Sequence, residues 1–240
     1  MSTNYLVESE IQKIIDDYNF SVGGIDQKAK IRDGTDRAYG GIVRSDKGTL
    51  VENTAKQLVK IAWTSLGRNL DQLTFSSNKV RIHIKEEYIS KIQNPDVKQY
   101  ILNNKNKYFY ALKTDVHVFI NNTFAIAVEC KAYTENAMFK RILVDFTLLK
   151  QVYPDLDFVL LQLESQLGGD YSSLSGNKLG SPSTHTLMSY FEVDVNIITL
   201  LEGERLIDKP IHKSDYFKPL KKQKIYEAIE IFQKLLEKHL

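Results

Sequence analysis

The feature of this sequence that most constrains its fold is an apolar run at residues 124–130, in which only Glu129 is polar. A short apolar run bounded by turn residues is typical of a strand that is buried on both faces of a sheet. β-Branched residues recur at every second position of residues 116–120, and Asn121-Asn122-Thr123 separates the two runs with turn-forming chemistry. We therefore predict a β-hairpin whose second strand lies inside a sheet.

Three charged residues are expected at the open end of this hairpin. Successive side chains of a strand point to opposite faces, so Glu129 and Lys131 share one face and Cys130 points to the other. Asp115, at the start of the first strand, can reach the same place. Two neighbouring carboxylates repel, and a hard divalent cation bound by oxygens relieves that repulsion, with the Cys130 carbonyl as a third ligand. Lys131 can then orient a water or neutralise charge on a phosphate, which suits metal-assisted hydrolysis of a phosphodiester.

This arrangement resembles the motif of the PD-(D/E)xK nuclease superfamily, an Asp followed by a β-turn and a Glu-x-Lys on the next strand. Thr114 departs from the pattern, because the family often has Pro there. The acid-x-Lys triplet alone is uninformative, since it occurs three times in the chain. Only Glu129-Cys-Lys131 closes an apolar strand that follows a turn and an Asp-led strand. The alternative is an ordinary hairpin with an ion pair at the rim of the sheet.

The order of predicted elements indicates one α/β domain over residues 1–240, with a mixed central β-sheet flanked by helices. A helix at 138–152 between the Glu-x-Lys strand and an apolar run at 157–163 predicts a right-handed crossover and a parallel pair of strands. This order resembles a restriction-endonuclease-like core, which would cover about residues 49–201. Long loop insertions around a small core make the chain similar to type II restriction endonucleases.

The same resemblance implies one further acidic residue near the metal. The first core helix of the superfamily often carries a Glu close to the site, and Glu52 matches by its place in the predicted helix 49–63. A simpler interpretation pairs Glu52 with Lys56, one turn away on a solvated helix face.

Three segments are candidates for contacts to DNA. Residues 21–48 hold six glycines and several cations, which predicts a basic arm, and residues 165–186 form a glycine- and serine-rich loop suited to recognition. Residues 208–224 are the densest positive patch, and a terminal helix completes the segment 208–240. For each segment the alternative is a solvated surface without a DNA contact. The predicted DNA-binding residues are Lys30, Arg32, Arg37, Arg44, Lys213, Lys218, Lys221 and Lys222.

Residues 79–85 alternate between apolar and basic residues, which predicts a half-buried strand with a cationic outer face. Such a face can touch phosphates, but a charged edge that blocks aggregation is the commoner role.

Composition narrows the possible partners and the compartment. The net charge of +2 is nearly balanced, so any surface for nucleic acid must be a local patch. The single cysteine excludes an internal disulfide, and no apolar run is long enough to cross a membrane. We expect a cytoplasmic protein without a membrane partner.

The resemblance implies a sequence-specific endonuclease of double-stranded DNA that uses Mg²⁺ and leaves 5′-phosphate and 3′-hydroxyl ends. It also implies a homodimer that matches a two-fold symmetric site. Two alternatives stay open. One is another nuclease of this fold that acts in repair or on branched DNA, and the other is a non-catalytic module that binds nucleic acid.

Overall fold

The computed structural model describes residues 2–23, 36–173 and 181–240, and side chains are described outside residues 2–5 and 36–47. The helices are α1 (Ser2–Gly23), α2 (Asp36–Ser65), α3 (Glu86–Ser90), α4 (Pro95–Asn103), α5 (Asn136–Val152), α6 (Pro182–Met188) and α7 (Lys222–Glu237). The strands are β1 (Leu73–Ser76), β2 (Val80–His83), β3 (Phe109–Leu112), β4 (Val116–Ile120), β5 (Thr123–Glu135), β6 (Asp157–Gln166) and β7 (Val195–Thr199).

The predicted hairpin forms from β4 and β5. Asn121 and Asn122 make its two-residue turn with φ angles of 48° and 66°. Asparagine tolerates this left-handed conformation better than most residues, and two such residues in a row give a turn that matches the twist of paired strands. Val116 pairs with Val128 in the antiparallel register, so the start of β4 lies beside the middle of β5.

The central sheet has five strands in the order β1-β4-β5-β6-β7. β1, β4 and β5 are antiparallel neighbours, whereas β5, β6 and β7 run parallel. Helix α5 connects β5 to β6, as the predicted crossover requires. The mixed α/β sheet with flanking helices is therefore confirmed.

Each face of the sheet carries its own hydrophobic cluster. One cluster, the α2 cluster, joins the sheet to α1, α2 and α7 and contains Trp63 and Phe232. The other, the α5 cluster, joins the sheet to α5 and contains Phe139, Phe146 and Phe158, all buried. Ala127 belongs to the α5 cluster and Cys130 to the α2 cluster, so the alternation along β5 sorts side chains between the two.

A small lobe, residues 77–113, is inserted between β1 and β4. β2 and β3 pair antiparallel in it, and α3 and α4 lie between them in the chain. Leu112 is buried in the α5 cluster, and Val80 and Ile82 pack against that cluster. The lobe therefore rests on the α5 side of the sheet.

Several predicted boundaries were wrong. The basic arm was predicted over residues 21–48, but residues 21–23 belong to α1 and residues 36–48 to α2; residues 24–35 lie outside the described ranges. Each glycine costs a helix about 1 kcal/mol relative to alanine, but most helix stability comes from tertiary packing, and residues 50–63 of α2 supply a buried apolar stripe. The loop predicted at 165–186 is shorter as well, since β6 continues to Gln166 and α6 begins at Pro182. Within the described ranges, no helix is both long and apolar enough to span a membrane.

Candidate active site

The structure brings Asp115, Glu129 and Lys131 together beside the start of β4. The Lys131 Nζ atom lies 2.8 Å from Asp115 Oδ2 and 2.5 Å from Glu129 Oε2. The Glu129 side chain is only 9% exposed, whereas Asp115 and Lys131 are about a quarter exposed, at 25% and 27%. Glu129 is therefore the buried member of the cluster, and Asp115 and Lys131 form the side that a ligand can reach.

The backbone of β5 fixes the position of Asp115. The Cys130 N–H donates to Asp115 Oδ2 at 2.8 Å, just beyond the Val116–Val128 pair at which the pairing of β4 with β5 stops. On the other side of Asp115, the Thr114 N–H donates to His117 Nε2 at 3.2 Å, and both residues are buried. Asp115 is thus held in place from both sides.

Burial and charge act in opposite directions on these groups. Burial raises the pKa of Glu129, the nearby Asp115 carboxylate adds to the rise, and Lys131 only partly offsets it. Burial also acts to raise the pKa of Asp115, but hydrogen bonds from Glu129 and Lys131 outweigh it and leave that pKa lowered. Burial opposes the charge on Lys131, yet the two carboxylates raise its pKa. Lys131 is therefore a cation, and the two acids hold unequal shares of the negative charge.

Glu52 is not brought into contact with the other three. It lies on α2 with a partly buried side chain, and α2 packs on the face of β5 that carries Cys130. Burial raises the pKa of the Cys130 thiol far above its ordinary value, and the charges of Asp115, Glu129 and Glu52 contribute. Glu52 is thus close enough for an electrostatic effect on β5, and its part in catalysis stays a prediction.

Two further polar groups adjoin Lys131. Gln162 pairs in register with Lys131 on neighbouring strands, is fully buried, and donates to Thr199 Oγ1 at 2.9 Å. Its Oε1 atom has no hydrogen-bond partner within the described residues.

Sequence analysis did not identify Asp145 on α5 as a site residue. Burial raises the pKa of Asp145, and the charges of Arg141 and Lys131 oppose the rise. The sequence signal that could have identified Asp145 is an acidic residue between Ile142 and Leu149 on the apolar stripe of α5.

Four of the predicted DNA-binding residues have no described side chain, and the other four lie in the C-terminal segment. Lys30 and Arg32 fall in undescribed residues, and Arg37 and Arg44 lie on α2 without described side chains.

The C-terminal lysines are largely paired within the chain. Lys218 contacts the buried Glu164 at 2.9 Å, Lys221 contacts Glu202 at 2.5 Å, and Lys222 contacts Glu8 at 3.2 Å. Lys213 is exposed. Their contacts to DNA stay predictions.

The donor set fits a hard divalent cation. The Asp115 and Glu129 carboxyl groups both contact the Lys131 ammonium, and a metal ion could bind the same oxygens. Within the described residues, no three His, Cys, Asp or Glu side chains form a group that would hold a metal alone. Asp115 and Glu129 supply carboxylate oxygens, and Mg²⁺ usually binds one or two carboxylates and completes its shell with water and phosphate oxygens.

The chain is similar over nearly its whole length to a known restriction enzyme. The chain is 48% identical over 233 residues to the type II restriction enzyme DdeI of Desulfomicrobium norvegicum, which covers 95% of this chain and 97% of that enzyme. A solved structure, the native BbvCI A2B2 tetramer, covers 100% of this chain and 97% of its own, with 11% identity and a TM-score of 0.38. At this TM-score the likeness supports no conclusion about fold or function. No protein-family model matches the chain.

Proposed function

Because this chain belongs to the type II restriction enzymes, which are sequence-specific DNA endonucleases, we propose that Asp115, Glu129 and Lys131 are its catalytic residues. The observation that carries the proposal is the contact of the Lys131 ammonium with both carboxylates at the rim of the sheet. An ordinary rim ion pair needs one acid and one base, whereas this cluster gathers two acids around one base in a partly buried place. Such an arrangement costs desolvation energy, so a catalytic role is a reason for its presence.

Mg²⁺ is the proposed cofactor, held by Asp115, Glu129 and the backbone carbonyl of Cys130. The N–H and C=O of a strand residue point to the same edge, so the Cys130 carbonyl faces Asp115 as its N–H does. When bound, the ion would neutralise charge that builds on the phosphate during hydrolysis.

The protein side chains divide the remaining work. Lys131 keeps its proton and positions the attacking water, and its charge stabilises the developing negative charge on the phosphate. Asp115 and the β5 backbone fix where Lys131 points, since the carboxylate accepts from both. Glu52, from the far side of β5, is proposed as an auxiliary acid.

The proposed reaction cuts both strands and leaves 5′-phosphate and 3′-hydroxyl ends. A homodimer would place one active site on each strand of a two-fold symmetric sequence. Sedimentation of the protein should then give twice the chain mass of 27.6 kDa.

The test is digestion of a sequenced plasmid with Mg²⁺ by Glu129→Ala and Lys131→Ala. We expect both variants to lose cleavage, while wild-type fragments join again with DNA ligase without further treatment. Asp96→Ala and Lys234→Ala are matched controls, because both residues are exposed and lie outside the cluster.

Undiminished cutting by Glu129→Ala or Lys131→Ala would reject the catalytic assignment. Fragments that join only after treatment with a kinase would reject the proposed ends.

A further inference from the structure

The lobe carries an excess of positive charge in a segment that none of the predicted DNA-binding residues belongs to. The lobe, residues 77–113, contains eight Lys and Arg residues and three acids, which gives it a net charge of +5. The whole chain carries +2, so the remaining residues are together net negative. A local excess of this kind is the electrostatic footprint of a polyanion partner.

The geometry of β2 and β3 sorts the lobe into an inner and an outer face. Val80, Ile82 and Leu112 point inward onto the α5 cluster. Arg81 and His83 alternate with them and lie opposite Ala111 and Phe109 on the outer face, all exposed. The Arg81 guanidinium lies 4.7 Å from the Phe109 ring centroid, and the His83 ring centroid is 5.9 Å from the same ring. The outer face therefore presents an ordered cation flanked by an aromatic ring.

Among the residues that the structure describes, the lysines around this face have no acidic partner. The ammonium groups of Lys79, Lys85 and Lys113 make no ion pair or hydrogen bond with any described residue, and all three are exposed. By contrast, Lys105 pairs with Glu86, and Lys98 donates to the Ser90 carbonyl at 3.1 Å. Unpaired cations gain more from a phosphate than paired ones, which must first give up a partner.

The lobe also stands next to the proposed active site. Lys113 is two residues before Asp115, and the lobe rests on the α5 side of the sheet. Glu129 and Lys131 project to that same side, since they alternate with Cys130 and share a face with Ala127. An extended stretch from Lys79 to Lys85 spans about 20 Å, comparable to about six base-pair steps of a duplex.

We propose that the outer face of the lobe, formed by Lys79, Arg81, Lys85 and Lys113, binds the phosphate backbone of the DNA duplex beside the cleavage site. This inference rests on the proposed function, because it assigns the surface that holds the substrate of that reaction. Arg81 and Phe109 fix the centre of the face, and the flexible lysines follow the strand on either side. The contacts are to phosphates, so they contribute affinity and register but no base recognition.

The experiment is a salt titration of duplex binding by fluorescence anisotropy without divalent metal, so that no cleavage occurs. The variant is Lys79→Gln/Lys85→Gln, which removes two charges that make no ion pair or hydrogen bond with a described residue. Its matched control is Lys13→Gln/Lys234→Gln, which removes two exposed charges from α1 and α7. Each lost phosphate contact lowers the slope of log Kd against log salt by about 0.9. We expect the lobe variant to lower that slope by about 1.8 and to weaken binding on the order of tenfold or more at about 0.1 M salt. The control should match the wild type.

The two failures are distinguishable. An unchanged slope in the lobe variant, with a wild type that binds DNA and cuts it, overturns the assignment of the lobe alone. Wild-type protein that cuts no DNA with Mg²⁺ overturns the proposed function itself. Equal slope losses in variant and control also overturn the inference, because the effect would then be one of net charge.

Discussion

His117 gives a sharp test of how the hairpin holds Asp115. Its side chain is 1% exposed, and its Nε2 atom accepts the Thr114 N–H next to Asp115. It packs beside the rings of Phe119 and Phe124, with centroid distances of 6.4 and 4.6 Å. Burial, aided by the charge of Lys113, lowers the pKa of His117 to about 4. The ring is therefore neutral in the folded protein at pH 7.

Acid should remove the stability that this neutral ring provides. In the unfolded chain the pKa of histidine is about 6.5, so the unfolded state takes up a proton first as the pH falls. The contribution of His117 is fully present above about pH 6.5 and is lost between about 6.5 and 4. At pH 5 the loss is about 2 kcal/mol in the free energy of unfolding, whereas at pH 7 the loss is small.

The assay is urea unfolding of wild type and His117→Gln at pH 7 and pH 5. Glutamine offers a neutral acceptor that does not titrate, so the variant should lose about 2 kcal/mol less than the wild type over this interval. His83→Gln is the control, because His83 is exposed, and it should behave as the wild type. An equal pH dependence in wild type and His117→Gln would refute the buried, neutral state of this ring.

Two further predictions concern the turn and the C-terminal lysines. Asn122→Ala should destabilise the protein by about 1 kcal/mol, because Asn122 has a φ of 66°, while Asn122→Gly should not; thermal unfolding of both variants checks this. Lys218→Met should cost on the order of 3 kcal/mol in urea unfolding, because it leaves the 4% exposed Glu164 without its cation. Adding Glu164→Gln should recover most of that loss, and a Lys218→Met protein of unchanged stability would contradict the structural role of the pair.

The hairpin and the crossover were predictable from the sequence because their signals are local. The apolar run 124–130 is typical of a buried strand, and Asn121-Asn122 marks the turn that precedes it. The order of strand, helix and strand then fixes the parallel pairing of β5 and β6. The proximity of Asp115, Glu129 and Lys131 follows from that hairpin alone.

The remaining features depend on contacts that are distant in the sequence. β1 has only four residues, Leu73–Ser76, and it is a strand because it pairs with β4. β3, Phe109–Leu112, was not predicted as a strand; only Leu112 in it is buried, and the strand forms because it pairs with β2. The partners of Lys218 and Lys222 lie far away in the chain, so a count of charges cannot distinguish paired lysines from free ones.

The most direct test of the central claim is the single-turnover rate of DNA cleavage by Lys131→Met with saturating enzyme and Mg²⁺. Under these conditions weaker binding does not limit the rate, so the measurement reports on the chemical step. If Lys131 joins Asp115 and Glu129 in hydrolysis, the rate should fall by about 10²–10³-fold while the affinity for DNA stays near that of the wild type. A rate within a few-fold of the wild type would contradict the account.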